Sequence, residues 1–162
     1  MATLKAHLDS PDQSVRLKAA LAAGTFPKPE YIDVLVTQCA TESDFFVRDT
    51  LTWALMRNEV EKVVERLKPE LVSENPQAKS QALHTLTKIA DKKYYSLITH
   101  EHLFDSHDKV AVTAWRAASV LVPEEEKSVL TNILLTQLGR GNSDVQFDLT
   151  RFLCALGDCI IE

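Results

Sequence analysis

Cysteine and glycine are both scarce in this chain: three cysteines and four glycines in 162 residues. Cys39, Cys154 and Cys159 are odd in number and have no framework spacing, which excludes a disulfide-stapled scaffold and reads as reduced thiols in a cytoplasmic protein. Apart from Gly24 and Pro69, the glycines and prolines fall between the apolar stretches or at their starts, which excludes a fold of many tight turns and favours long helices. Positive charge is also short, with 18 Lys and Arg against 23 Asp and Glu and a net charge of −5, so tight phosphate-driven binding of nucleic acid is disfavoured. No apolar run approaches the roughly 18 residues that would cross a bilayer. The opening "MATLKAHLDSPDQ" lacks the apolar core of a secretory signal. Nucleophile elbow, zinc-protease helix and dinucleotide fingerprint are all missing, and no cofactor is implied.

What the chain does have is self-similarity. Five stretches align: "SVRLKAALAAG", "FVRDTLTWALM", "QAKSQALHTLTKI", "KVAVTAWRAASVL" and "DVQFDLTRFLCAL". Their anchors, Val15, Val47, Ala78, Val110 and Val145, stand 32, 31, 32 and 35 residues apart. Four residues after each anchor comes a second apolar residue (Ala19, Leu51, Ala82, Ala114, Leu149), and eight after it a third (Ala23, Leu55, Leu86, Ala118, Leu153). Spacings of four and eight place all three on one face of a helix. The polar breaks "DSPDQ", "ESDF", "ENPQ", "DSHDK" and "GNSD" precede these helices and supply Asp, Ser or Asn for capping, with Pro11 and Pro76 suited to a first turn. Between successive copies lie further helical stretches, "PEYIDVLVTQCATE", "EVEKVVERLKPELVSE", "KKYYSLITHEHLFD" and "PEEEKSVLTNILLTQL", and a shorter "TLKAHL" opens the chain. The pattern predicts about ten helices in five pairs, each too small to bury its apolar face alone.

The period and the wording "DQSVRLKAALAAG" and "DFFVRDTLTWAL" resemble HEAT repeats, specifically the short bacterial kind whose second helix begins Asp-x-x-Val-Arg. The middle copies are similar to bacterial HEAT domains found alone or behind MerR-type DNA-binding regions, which suggests a regulatory setting. The resemblance implies an all-α fold, a right-handed α-α superhelix of about five helical hairpins forming a single domain over residues 1–162. It also implies that the second helices line a concave face. Function varies widely among such arrays and has to be argued from the residues on that face.

On a helical wheel, positions 2 and 6 after each anchor lie opposite the buried stripe. They hold Leu17, Asp49, Ser80, Val112 and Phe147, and Leu21, Trp53, His84, Arg116 and Arg151. Trp and Arg often dominate binding energy at interfaces. The expected contact set is therefore Leu21, Asp49, Trp53, His84, Arg116, Phe147 and Arg151, facing a protein partner in a non-enzymatic scaffold. Two placements are open for Trp53: exposed in the groove, or folded sideways over Met56 and the neighbouring repeat. Trp115, half-way round its helix, reads as structural. Arg16, Arg48 and Lys79 point to a repeat edge, where Asp12, Asp44 or a neighbour's carboxylate could pair with them.

Three chemical alternatives arise. In "THEHLFDSHD", His100, His102 and His107 lack the four-residue spacing that brings ligands together on a helix, and no metal site is assigned. The loop "GRGNSD" could hold an anion through its backbone and Arg140, but reads more simply as a helix-ending glycine followed by an Asn/Ser cap. A groove for a small ligand or nucleic acid, including one like that of HEAT-like alkylpurine DNA glycosylases, would use Asp49 and Trp53 with Arg116 and Arg151. Lastly, the apolar Ile160 and Ile161 either fold over the last pair, giving a monomer, or form a sticky end and a weak homodimer.

Overall fold

Four of the five polar breaks cap the helices that follow them; the exception is "DSHDK", where the N-cap residue His107 makes no side-chain capping bond. The computed structural model describes residues 2–157, and regular structure among them is helical throughout, without a strand. Ten α-helices run in order: α1 (Ala2–Leu8), α2 (Gln13–Thr25), α3 (Ile32–Cys39), α4 (Phe45–Leu55), α5 (Val60–Leu71), α6 (Pro76–Ile89), α7 (His100–Leu103), α8 (Asp108–Leu121), α9 (Lys127–Leu135) and α10 (Ser143–Ala155). Short 3-10 turns, Pro29–Tyr31, Lys92–Leu97 and Glu124–Glu126, precede α3, α7 and α9. The Asp12 side chain accepts from the Ser14 N–H at 2.8 Å and Asp44 from Val47 at 3.0 Å. Asn75 accepts from Gln77 at 2.9 Å, and Asn142 from Asp144 and Val145, both at 3.1 Å. Each such bond satisfies a donor that the first helical turn leaves open. Pro76 begins α6, whereas Pro11 sits just before the Asp12 cap rather than inside the turn.

The fold class expected from the sequence, an all-α array of helical hairpins, is the one observed. The chain divides into two compact units, Met1–Thr85 and Leu86–Glu162, with the boundary inside α6. In the first, α2 packs on α1 and α4, α4 on α3, and α3 on α5. In the second, α8 packs on α7, α9 and α10, and α9 on α10. Extensive packing thus joins elements of the same or the next hairpin, as it must when each hairpin buries its apolar face against a neighbour.

The anchor stripe supplies the core. All fifteen of its residues are buried except Val15 and Ala19, which are half-buried. Leu51 and Leu55 are fully buried, each contributing about 2 kcal/mol relative to an exposed position. Packing is close where α3, α4, α5 and α6 meet: the gap among Val36, Leu55, Leu67, Ala78 and Ala82 holds only about 10 Å³, around the minimum for one water. Trp115 is fully buried, and its Nε1–H donates to the Leu103 carbonyl at 2.9 Å, so the ring ties α8 to α7.

Polar staples join the hairpins at the repeat edge. Arg16 donates from Nε and Nη2 to the two Glu42 oxygens at 2.8 and 2.9 Å, and from Nη1 to the carbonyls of Ser10 and Pro11. Arg48 makes the second of these contacts one repeat later, donating to the carbonyls of Glu42 and Ser43. The carboxylate partner is therefore Glu42, a neighbour's, and not Asp12 or Asp44. Glu42 also accepts from the Asp44 N–H and the Gln38 side chain. Burial pushes its carboxyl upward, but the bonds from Arg16, Asp44 and Gln38 outweigh that and hold it below the usual carboxylate range.

The fourth hairpin departs from expectation. "KKYYSLITHEHLFD" does not form one helix but a 3-10 turn followed by the four-residue α7. Tyr94, Tyr95, Ile98 and Thr99 are aromatic or β-branched and lose side-chain freedom in a helix. Thr99 is instead an N-cap, and its N–H donates to His102 Nδ1 at 3.0 Å.

Candidate functional site

The outward rows of the second helices are best described unit by unit. In the first unit, Leu21 on α2 is 45% exposed and Trp53 on α4 is 42% exposed, while Asp49 is exposed and His84 on α6 half-buried. In the second, Phe147 on α10 is 66% exposed, Arg151 is exposed and Arg116 on α8 is half-buried. The wheel misplaces Ser80, which is buried, and Leu17 and Val112, which are half-buried. Short or branched side chains at these positions do not reach past the longer groups around them.

Trp53 takes neither of its two expected placements fully. Its ring lies against α2, where a Cβ added to Gly24 would meet Cζ3 at 2.1 Å, Cε3 at 2.5 Å and Cη2 at 2.9 Å. The benzo edge of the indole is therefore seated in a notch that only glycine provides. Other second helices carry Met56, Thr87, Ser119 or Cys154 at the matching position. The pyrrole edge faces away from Gly24, and its Nε1–H bonds no described residue, in contrast to Trp115. Trp53 is thus both a packing residue between hairpins and a ring with an open side. Being held in place, it would lose little freedom on contact with a partner.

Sequence reasoning missed Phe46. It is 68% exposed and meets Phe45 edge-on at 5.6 Å between centroids. The signal was present, because residues 46, 49, 50 and 53 follow the 3-4-7 spacing of one helix face. The first unit therefore presents Leu21, Phe46, Asp49 and Trp53 on the packed pair α2 and α4. Asp49 makes no ion pair or hydrogen bond with a described residue.

The arginines of the second unit are engaged within it. Arg116 lies over the Phe152 ring, 5.8 Å from its centroid, and so joins α8 to α10. Arg151 pairs with Asp148 one turn earlier at 3.2 Å. Arg140 does not point into an anion cradle: its Nε donates to Asp108 at 3.0 Å, another nitrogen bonds the Asp105 carbonyl, and its guanidinium covers the Trp115 ring at 5.7 Å. The surrounding loop ends at the expected Asn142 cap, but Gly139, at φ +86°, does not itself end α9: it lies four residues past Leu135, and its N–H donates to the Gln146 side chain at 3.0 Å.

The three clustered histidines have separate surroundings. His100 stacks on Phe104 at 4.1 Å, His102 is buried and accepts the Thr99 N–H, and His107 pairs with Asp105 at 3.2 Å. Among the described residues, no three His, Cys, Asp or Glu side chains gather in metal-binding geometry. The Cys39 thiol is buried, which pushes its pKa up to about 12 and keeps it protonated at neutral pH. No helix among the described residues is long and apolar enough to cross a membrane. Ile160 and Ile161 lie outside the described residues.

Residues 1–56 match the sequence family of HEAT repeats. The match spans the first two copies, the ones that keep Asp-x-x-Val-Arg as Asp12 to Arg16 and Asp44 to Arg48. No curated protein matches the chain in sequence. Two engineered proteins solved by the Northeast Structural Genomics Consortium share its fold. One is 20% identical with a TM-score of 0.53, the match covering 95% of this chain and 78% of the other. The second is 22% identical with a TM-score of 0.51, covering 94% of this chain and 46% of the other. At such identities the likeness is one of fold alone.

Proposed function

We propose that the chain is a non-enzymatic HEAT-type scaffold, one domain over residues 1–162, that binds a protein partner along the concave face its second helices would line. The observation that carries this reading is the surface of α2 and α4, where Leu21, Phe46 and Trp53 stay exposed around an unpaired Asp49. Singly exposed apolar residues are ordinary, but a clustered set on a rigid helix pair marks an interaction surface. The match of residues 1–56 to HEAT repeats supports the same reading. Leu21, Asp49, Trp53 and His84 form the first-unit part of the contact set, and Arg116, Phe147 and Arg151 the second. Within the latter, Phe147 is the principal contact, because both arginines already have partners. The reading includes a bacterial, cytoplasmic setting and a regulatory role.

Co-purification from the native cell, followed by mass spectrometry, tests the proposal. A protein retained by the wild-type chain and lost with both Trp53→Ala and Phe147→Ala supports it. Retention by both variants at unchanged affinity refutes the site. The juxtaposition of Asp49 and Trp53 keeps one alternative in view, a groove for an alkylated base. Base release from alkylated duplex DNA that disappears with Asp49→Asn would replace the scaffold reading with that one.

A further inference from the structure

We infer that the α2–α4 surface takes an arginine side chain, presented by a segment of a protein partner, between the Asp49 carboxylate and the Trp53 ring. The inference rests on the protein-binding reading above and adds the chemistry of what is bound. Its starting point is a constraint on any occupant. Phe46, Asp49 and Trp53 stand at spacings of three and four on α4, so their side chains share one strip, with neighbouring Cβ atoms about 5–6 Å apart. A partner that covers the two aromatic rings also takes Asp49 out of water. An ionised carboxylate desolvated without a counter-charge is strongly unfavourable, and no described residue supplies one. The partner must therefore bring a cation.

The choice of cation follows from the shape of the site. Both Asp49 oxygens are unbonded, which suits the two-pronged donation of a guanidinium, and an indole is the best ring for a cation to lie against. The chain already shows one arginine shared between a carboxylate and an indole, although at other helix positions and on a buried ring. In the second unit, Arg140 donates to the Asp108 carboxylate at 3.0 Å and covers the Trp115 ring at 5.7 Å. In the first unit the carboxylate and the indole are present without the arginine. Trp53 is held ready by its seat on Gly24. Its Nε1–H, on the side away from that seat, is placed to donate to a main-chain carbonyl of the bound segment. Leu21, one turn before Gly24 on α2, offers an apolar surface to an aliphatic neighbour of the arginine.

The test is selection of a random linear peptide library on the full-length chain, followed by binding measurements on the selected peptides. The expected peptides carry arginine beside an aliphatic residue. Replacing that arginine by citrulline, which keeps the shape and removes the charge, weakens binding about tenfold or more, as does Asp49→Asn. Combining the two costs little more than either alone. Asp49→Asn alters an exposed, unpaired side chain and leaves the fold intact. Selected peptides that require Leu21 and Trp53 but carry no basic residue, and bind Asp49→Asn as tightly as wild type, overturn the arginine and leave the protein-binding reading standing. Peptides indifferent to Trp53→Ala, or no selected peptide at all, overturn both.

Discussion

Replacing Gly24 by alanine should destabilise this protein, although the same change in an ordinary helix would stabilise it. Alanine is favoured over glycine inside a helix by about 1 kcal/mol. Here the new methyl would stand 2.1 Å from Trp53 Cζ3, and the nearest atoms belong to a rigid ring rather than the tip of a flexible chain. The indole must leave its seat. Trp53 is now 42% exposed, so the covered part of its side chain amounts to on the order of 100 Å², and losing most of it costs about 2 kcal/mol. The net effect is destabilisation by about 1 kcal/mol. In a Trp53→Ala background the clash is gone, and Gly24→Ala should stabilise by about 1 kcal/mol, giving a coupling of about 2 kcal/mol between the sites. Urea denaturation of the four proteins measures it. Indole fluorescence supplies a second readout, since Trp53 should shift to the red while buried Trp115 stays constant. If Gly24→Ala stabilises the wild type as much as it stabilises Trp53→Ala, the seat does not exist.

Glu42→Gln removes the charge from a side chain that is 1% exposed and strands Arg16, so denaturant titration should show a loss of roughly 3 kcal/mol. Because the folded-state pKa of Glu42 is depressed, its contribution is fully present above the unfolded glutamate value of about 4.3 and disappears as pH falls through the lower folded value. The wild type should therefore lose more stability on acidification than Glu42→Gln does, and identical pH profiles would contradict the assignment. Ala90, just past α6, sits at φ +55° without being glycine. Ala90→Gly should raise stability by about 1 kcal/mol by relieving that conformation, and an unchanged or lower melting temperature would count against the left-handed cap.

The repeat pattern made the core legible because burial in a helix repeats with the helix itself. Val47, Leu51 and Leu55 could be named from spacing alone, as could the caps Asp44 and Asn142. The signal weakened where two tendencies competed, as at Tyr94 to Thr99, where helical periodicity met residues that resist helix. The surface rows were legible only in part. A wheel gives direction but not reach, so it ranked Ser80 with Asp49 and overlooked Phe46, one turn ahead of the counted positions. It also treated Trp53 as a choice between buried and exposed. The seat on Gly24 depends on a residue 29 positions earlier, on another helix, and no period within one helix records it. Spacing alone could not single out which groups the arginines would meet, for a similar reason. Their partners Phe152, Asp108 and Glu42 are set by packing between hairpins, not by local spacing.

The reach of Arg16 and Arg48 has a bearing on how a chain of this type can change in length. Each guanidinium grips carbonyls five and six residues upstream, Ser10 and Pro11 in one case and Glu42 and Ser43 in the other. A side chain of fixed span thereby measures out the bend between hairpins. One added residue would carry the carbonyls out of grasp and strand the cation beside them. A complete additional hairpin that keeps this arginine, as the first two copies do, brings its own bend and its own ruler. Growth or loss by whole hairpins is consequently tolerated where growth or loss by single residues at these bends is not.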